Sequence, residues 1–166
     1  MIQKIGFGGG CHWCTEAIFQ QIPEVDKVEQ GWIKSKWPND LFSEAVIVYF
    51  CDTKVSLEFL LRVHLGTHSS TSTHSMRKKY RSAVYYFNRG DNLKLNKLMR
   101  QLMIESRASY ITQILPFSDF KLNKEKYLNY YDKNPKAPFC ETYIVPKLRL
   151  LRSNFGLDIK SNGNFK

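Results

Sequence analysis

Apolar residues change their spacing along this chain in an order that marks out its elements. A β-prone stretch over residues 2–7 runs into Gly8-Gly9-Gly10, a break that lets the backbone turn tightly. Trp13, Ala17, Ile18 and Ile22 then recur at helical spacing and predict a helix over 13–22, stopped by Pro23. Residues 25–33 read as a strand and 34–41 as a loop turning at Trp37-Pro38-Asn39-Asp40. Residues 42–51, rich in Val, Ile, Tyr and Phe, are the clearest strand of the chain. Ser56 is placed to cap a helix over 57–64, with Leu57, Leu60, Leu61 and His64 on one side. Gly66 is expected to end that helix and to open a polar loop reaching residue 79. A strand over 82–87, an amphipathic helix over 92–107 and a strand over 109–115 follow, the last closed by Pro116. Beyond it, residues 123–131 and 144–154 look helical, joined by a Pro-containing loop over 134–140.

The first six elements run β-α-β-β-α-β, the split-βαβ order of a ferredoxin-like fold. The expected class is therefore α+β: a two-layer α/β sandwich with an added C-terminal helical and coil segment. At 166 residues the chain fits one domain, 1–166, with its core at about 1–116 and an extension at about 117–166. The last ten residues are polar and are expected to fray.

Composition narrows the setting. No apolar run approaches the ~20 residues a membrane helix needs, and residues 1–10 lack the features of a secretory signal. The expected location is cytoplasmic, where thiols are kept reduced. Four cysteines there point to chemistry or metal before structural bridges. The formal net charge is +10, part of it in Arg77-Lys78-Lys79 and Arg81. Without a nucleic-acid motif this charge reads as a solvated surface, so neither nucleic acid nor membrane is expected as a partner.

The chemistry concentrates in Gly8-Gly9-Gly10-Cys11-His12-Trp13-Cys14-Thr15-Glu16. Cys11 follows a strand and a glycine turn and opens a helix, whose free N–H groups and dipole favour a thiolate. Cys14 lies one helical turn on, and the spacing places Glu16 to deliver a proton near Cys11. A thiolate beside a carboxylic acid can attack a centre while its leaving oxygen is protonated. When protonated, His12 would help hold Cys11 as thiolate. Two other readings fit parts of the pattern. Cys11-x-x-Cys14 at a helix start suits a general thiol–disulfide oxidoreductase, though the strand-helix-strand crossover of a thioredoxin-like parallel sheet is missing. Cys11, Cys14, His64 and His68 would supply the four ligands of a zinc-binding structural module, provided the second helix ran on through Gly66. Cys51, at a strand end, reads as a small buried or edge residue.

These residues carry a family resemblance. Gly10, Cys11, Trp13 and Glu16 resemble the Gly-Cys-Phe-Trp-x-x-Glu motif of the A-type peptide methionine sulfoxide reductases (MsrA), with His12 in place of Phe. The stretch from His64 to Thr67, and that from Tyr80 to Tyr85, resemble the family's His-Asp-Pro-Thr and Tyr-Arg-Ser-Ala-Ile-Tyr. Glu44 falls where the family has the Glu of His-Ala-Glu, and Asn134, Pro135 and Cys140 resemble its Asn-Pro-x-x-Tyr-Cys. The resemblance implies reduction of methionine-S-sulfoxide, free or in proteins. Cys11 would attack the sulfoxide sulfur, Glu16 protonate the departing oxygen, Tyr80 hydrogen-bond it, and Trp13 pack on the substrate methyl. His12, Trp32 and Ser75 would complete the substrate pocket, Trp32 standing where the family has a tyrosine and Ser75 where it has an aspartate. Cys11 would leave the reaction as a sulfenic acid, resolved by Cys14 or Cys140, and a thioredoxin-like reductant would reset it. No metal or organic cofactor is implied. Arg77-Lys78-Lys79, with His74, precede Tyr80 and predict a bias toward substrates with a carboxylate near the sulfoxide.

Overall fold

The computed structural model of the chain describes residues 1–73 and 75–156. Six strands form one mixed sheet: β1 (Ile2–Gly8), β2 (Val25–Lys34), β3 (Ser43–Cys51), β4 (Ala83–Tyr86), β5 (Gln113–Pro116) and β6 (Asp119–Leu122). Their order across the sheet is β5-β4-β1-β3-β2-β6. The inner four, β4-β1-β3-β2, are mutually antiparallel, the ferredoxin-like arrangement the element order predicts. β5 adds to β4 in parallel, and β6 to β2 antiparallel.

β3 lies between β1 and β2 and is apolar at nearly every position because both faces of the sheet are covered. Val46, Val48 and Phe50 join Ile5 and Phe7 in the main core, beneath the helices. Alternate residues Ala45 and Ile47 turn to a smaller cluster with Ile33, Ala83 and Tyr85 on the other face. The main core is closed by α1 (His12–Gln20), α2 (Leu57–Thr67), α3 (Arg89–Ser106) and α5 (Val145–Phe155). Ser56 caps α2, its hydroxyl accepting from the Phe59 amide at 3.0 Å.

Four expectations from the sequence change. α2 runs through Gly66 to Thr67, because the apolar face Leu57, Leu60, Leu61, Val63, His64 and Leu65 stays buried to its end. Burial there outweighs the ~1 kcal/mol that glycine costs a helix. The strand expected over 109–115 is confined to β5. The helix expected over 123–131 reduces to a 3-10 turn, Glu125–Tyr127, and one helical turn, α4 (Tyr130–Lys133), separated by Asn129 in the left-handed region at φ 54°. The segment after Pro116 supplies the sheet's last strand before its helices. That strand depends on Gly31: a Cβ there would run into the Lys121 carbonyl oxygen, so only glycine lets β6 approach β2. The polar tail from residue 157 lies outside the described residues.

Candidate active site

β1 ends at Gly8 and α1 starts at His12, with Cys11 as the N-cap residue. The glycines between them serve close approach. A Cβ on Gly9 would collide with the His68 ring, and one on Gly8 would sit 3.0 Å from the carbonyl oxygens of Arg81 and Glu44. Arg77 holds the turn from outside, donating to the carbonyls of Gly9 and Tyr80, each at 3.0 Å, and to those of Ser69 and Ser72. Arg77 is thereby committed to the backbone.

The Cys11 carbonyl starts the helix by accepting from the amides of Cys14 (3.1 Å) and Thr15 (3.2 Å). Its thiol is half-buried and free. It is held below the ordinary thiol range first by a hydrogen bond from the Cys14 thiol, with the amides of Trp13 and Cys14 adding to this; burial and the nearby Glu44 charge oppose it. Cys14 is pushed the other way by the same bond and by burial, so it stays a thiol and a donor. A low-pKa nucleophile beside a high-pKa partner is the division of labour that thiol chemistry needs.

His12 and Trp13, the residues that follow Cys11, line a cavity of about 390 Å³ together with Trp32, Glu44, Lys79, Lys121, Leu122, Asn123, Lys124 and Tyr127; Cys11 itself is not among the lining residues. Trp13 stacks on Tyr130, ring centroids 3.9 Å apart and 6° from parallel, and meets Phe139 edge-on at 5.3 Å. Trp32 meets the His12 ring edge-on at 5.1 Å and carries the Lys121 ammonium over its face at 5.6 Å. Glu44 is 6% exposed. Its Oε1 lies 3.2 Å from His12 Nε2, and Lys79 Nζ stands 3.7 Å from Oε2. Glu44 Oε2 and Trp13 Nε1 are buried without a hydrogen-bond partner. Two such orphaned polar atoms on residues lining one cavity mark where a polar substrate group is received.

The structure gathers His12, Trp13 and Trp32 at this cavity, as the sequence leads one to expect, but not Glu16. The Glu16 carboxylate is 1% exposed and accepts from the amides of Asn129 (3.1 Å) and Tyr130 (3.2 Å). It ties α1 to α4, and burial raises its pKa against the pull of those bonds. It borders a different cavity of about 420 Å³, lined by none of His12, Trp13, Trp32 or Glu44. Tyr80 is not among the lining residues either: its ring carries the Lys79 ammonium at 5.0 Å, one group removed from Glu44. His74 and the side chain of Ser75 lie outside the described residues. Cys140 does not sit in a mobile loop; it is 0% exposed, at the start of the π-helical turn Cys140–Ile144 that leads into α5, within electrostatic reach of Cys14. Cys51 lies apart at the end of β3, half-buried, 3.1 Å from the Thr53 hydroxyl.

His64 and His68 do stack, centroids 4.1 Å apart; three of their four ring nitrogens are hydrogen-bonded, and His64 Nδ1 is buried without a partner. His64 Nε2 bonds the Gly8 carbonyl at 2.8 Å, and His68 bonds the His64 carbonyl and, at 2.7 Å, the Ser82 hydroxyl. Burial holds the His68 imidazole neutral, at about 4. Among the described residues no group of three or more His, Cys, Asp or Glu is placed to hold a metal ion.

Residues 3–158 match the model of the peptide methionine sulfoxide reductase family. The chain belongs to that family. "Peptide methionine sulfoxide reductase MsrA 1" of Rhodopirellula baltica is 32% identical over 169 residues, covering 93% of this chain and 88% of the relative. The fold is that of Mxr1 from Saccharomyces cerevisiae in reduced form, at a TM-score of 0.71, with 21% identity over 86% of this chain and 91% of that one. Mxr1 in complex with Trx2 matches at a TM-score of 0.61, with 18% identity over 78% and 84% of the two chains. Glu44, which falls where the family has the Glu of His-Ala-Glu, is the cavity carboxylate that helix spacing does not find. Its signal was present: it is a lone carboxylate inside an otherwise apolar central strand, a burial that costs several kcal/mol unless used or paired.

Proposed function

We propose that this chain reduces methionine-S-sulfoxide with Cys11 as nucleophile and Glu44 as the acid. The observation that carries the reading is the low-pKa Cys11 thiol within electrostatic reach of the buried Glu44, directly preceding the His12 and Trp13 that wall a cavity with Glu44 and Trp32. The Cys11 thiolate attacks the sulfoxide sulfur, and a proton from Glu44 goes to its oxygen. The S–O bond breaks as the oxygen passes to Cys11, giving Cys11 sulfenic acid and the thioether. Trp13 offers the sulfonium-like centre an aromatic face. An indole face fixed on one side and a proton donor fixed on the other admit one epimer at sulfur. No described helix is long and apolar enough to cross a membrane, and the reductive cycle suits the cytoplasm.

Lysines 79, 121 and 124 stand around the cavity, and Glu44 is the only carboxylate among the described residues that line it. The preferred substrate therefore carries carboxylates near the sulfoxide, as free methionine sulfoxide does or as a methionine between acidic residues does. Lys79 of the basic run reaches the cavity, whereas Arg77 is spent on carbonyls and Lys78 lines another pocket. The test is reduction of S- and R-sulfoxides of acetyl-Asp-Met-Asp-amide, acetyl-Lys-Met-Lys-amide and the free amino acid. The S epimer alone is expected to turn over, with kcat/KM about tenfold higher for the acidic than the basic peptide at low salt, converging at high salt. Equal use of both epimers sinks the assignment of the reaction; equal use of both peptides removes the lysines from recognition.

Cys14 is the resolving thiol we favour, since it already touches Cys11. Its S–H and the Cys11 sulfenic hydroxyl leave together as water when the disulfide forms. Cys140 then relays the disulfide outward: after the turn Cys140–Ile144 opens, its thiolate attacks the Cys14 sulfur, the Cys11–Cys14 bond breaks, Cys11 leaves as thiolate and a Cys14–Cys140 disulfide forms. A thioredoxin-type dithiol resets the protein; the Mxr1 complex with Trx2 supports that class of partner. Mass spectrometry after one turnover without reductant is expected to show a Cys11–Cys14 bridge in Cys140→Ser and persistent sulfenic acid in Cys14→Ser. A wild-type rate of bridging in Cys14→Ser would assign resolution to Cys140.

A further inference from the structure

We propose that His12 and Glu44 together hold the single proton delivered to the sulfoxide oxygen, so that His12 sets the pH range over which the acid works. The inference rests on the reading of this pocket as a sulfoxide-reducing site with Glu44 as donor. It follows from counting hydrogens. His12 Nδ1 lies 2.7 Å from the Gly31 carbonyl oxygen, which only accepts, so Nδ1 carries a proton. His12 Nε2 faces Glu44 Oε1 at 3.2 Å. An unprotonated Nε2 and a carboxylate oxygen are both acceptors and repel at that distance, in a setting where the His12 and Glu44 side chains are 6% and 7% exposed. One proton between them resolves the conflict, as imidazolium facing carboxylate or as imidazole facing carboxylic acid. The two forms belong to one pair with shared titration.

The surroundings favour the form that can donate. Burial disfavours the imidazolium and is the largest influence on His12. The Asn123 amide, 3.4 Å from Nε2, donates to a neutral ring and has nothing to offer a charged one. The charged groups around the pair are the Cys11 thiolate from the start of α1, which interacts with Glu44, and Lys79 from the turn before β4, with Lys121 and Lys124 also lining the cavity. Lys79 disfavours a second positive charge on His12. Burial of the ring thus disfavours the imidazolium form of the pair, while Glu44 Oε2 has no hydrogen-bond partner and stands 3.7 Å from the Lys79 ammonium.

The proton inventory closes over a cycle. In the resting state Cys11 is a thiolate and the pair holds one proton. Oxygen transfer consumes that proton and leaves the pair empty. When the dithiol reductant returns Cys11 as a thiol, ionisation of Cys11 releases the proton that refills the pair. An aromatic hydrocarbon at position 12, as in the family motif, leaves Glu44 to hold the proton alone. The added base in this chain extends proton retention to higher pH.

The experiment is single-turnover reduction of methionine-S-sulfoxide without reductant, from pH 5 to 9, in wild type, His12→Asn and Glu44→Gln. It is joined by ¹⁵N NMR of the histidine rings in wild type and Glu44→Gln. Asn at position 12 keeps a donor for the Gly31 carbonyl but cannot titrate. Its alkaline limb is expected about one pH unit lower, so the ratio of wild-type to variant rate grows about tenfold between pH 6 and pH 8. The His12 Nε2 signal should titrate with the wild-type alkaline limb and move when Glu44 becomes Gln. A His12→Asn profile parallel to wild type at every pH overturns the inference and leaves His12 a pocket wall, as does an Nε2 signal that does not titrate with the limb. The NMR arm decides the matter if His12→Asn does not fold. Rapid, pH-independent turnover by Glu44→Gln is a different result: it removes Glu44 as the acid and with it the parent reading.

Discussion

Cys11→Ser is expected to abolish sulfoxide reduction, by on the order of 10⁴-fold or more, while leaving the protein as stable as before. Both halves follow from its position. Cys11 is the N-cap residue of α1, and its side chain makes no capping hydrogen bond. Serine is among the best N-cap residues, so its hydroxyl gains a role that the thiol does not fill. Loss of turnover thus cannot be assigned to loss of the helix. A companion variant separates nucleophilicity from mere presence of sulfur. Cys14→Ala removes the largest influence holding the Cys11 thiol down. Its alkylation by iodoacetamide should then need a higher pH than in wild type, where the thiolate is already formed below the ordinary thiol range. The measurement is the pH dependence of alkylation beside a circular dichroism melt. Wild-type turnover by Cys11→Ser, or an unmoved alkylation profile in Cys14→Ala, contradicts the assignment.

How far these features were legible depended on whether local pattern or tertiary contact decided them. The four inner strands and α1 announced themselves through periodicity, because each has a continuous apolar face to bury. The β6 strand did not. Asp119-Phe120-Lys121-Leu122 offers two apolar positions on an exposed edge, and its pairing is licensed by Gly31, ninety residues away by number. Gly66 read as a stop, but its neighbours' burial carried the helix past it. In the site, Cys11 and Cys14 were legible because a glycine turn before a helix start is a local signal with a direct electrostatic consequence. The cavity carboxylate is not local. Glu16 shares a helix with Cys11 yet points to the backbone of α4, and Glu44, on another strand, meets Cys11's neighbours only through the sheet order. The lysines of the cavity come from two separate segments, the turn before β4 and around the end of β6, so no single run of charge in the sequence outlines them.

Glu44→Gln and Glu16→Gln are therefore expected to fail in different ways, although both replace a buried carboxylate by its amide. Glu44→Gln removes the proton donor from the cavity. The chemical step should slow by roughly 10²- to 10⁴-fold, the range for one general acid, with the loss shrinking at low pH as solvent protons substitute. Its fold should hold, since Glu44 Oε2 has no hydrogen-bond partner to lose and the amide can still face His12. Glu16→Gln instead sets an amide N–H₂ against one of two backbone N–H groups that the carboxylate satisfies, from Asn129 and Tyr130. Two donors then face each other in a buried site, which costs about 1–3 kcal/mol. That cost is read as a lowered melting temperature and looser packing of Tyr130 on Trp13, visible in tryptophan fluorescence. Once folded, Glu16→Gln should react within about tenfold of wild type at each pH, because its carboxylate is held by the α4 backbone and borders a cavity separate from the one lined by His12, Trp13 and Glu44. Single-turnover rates and thermal melts on the two variants decide between the carboxylates. A chemical step slowed a thousandfold in Glu16→Gln at unchanged stability, with Glu44→Gln near wild type, would return the acid to α1.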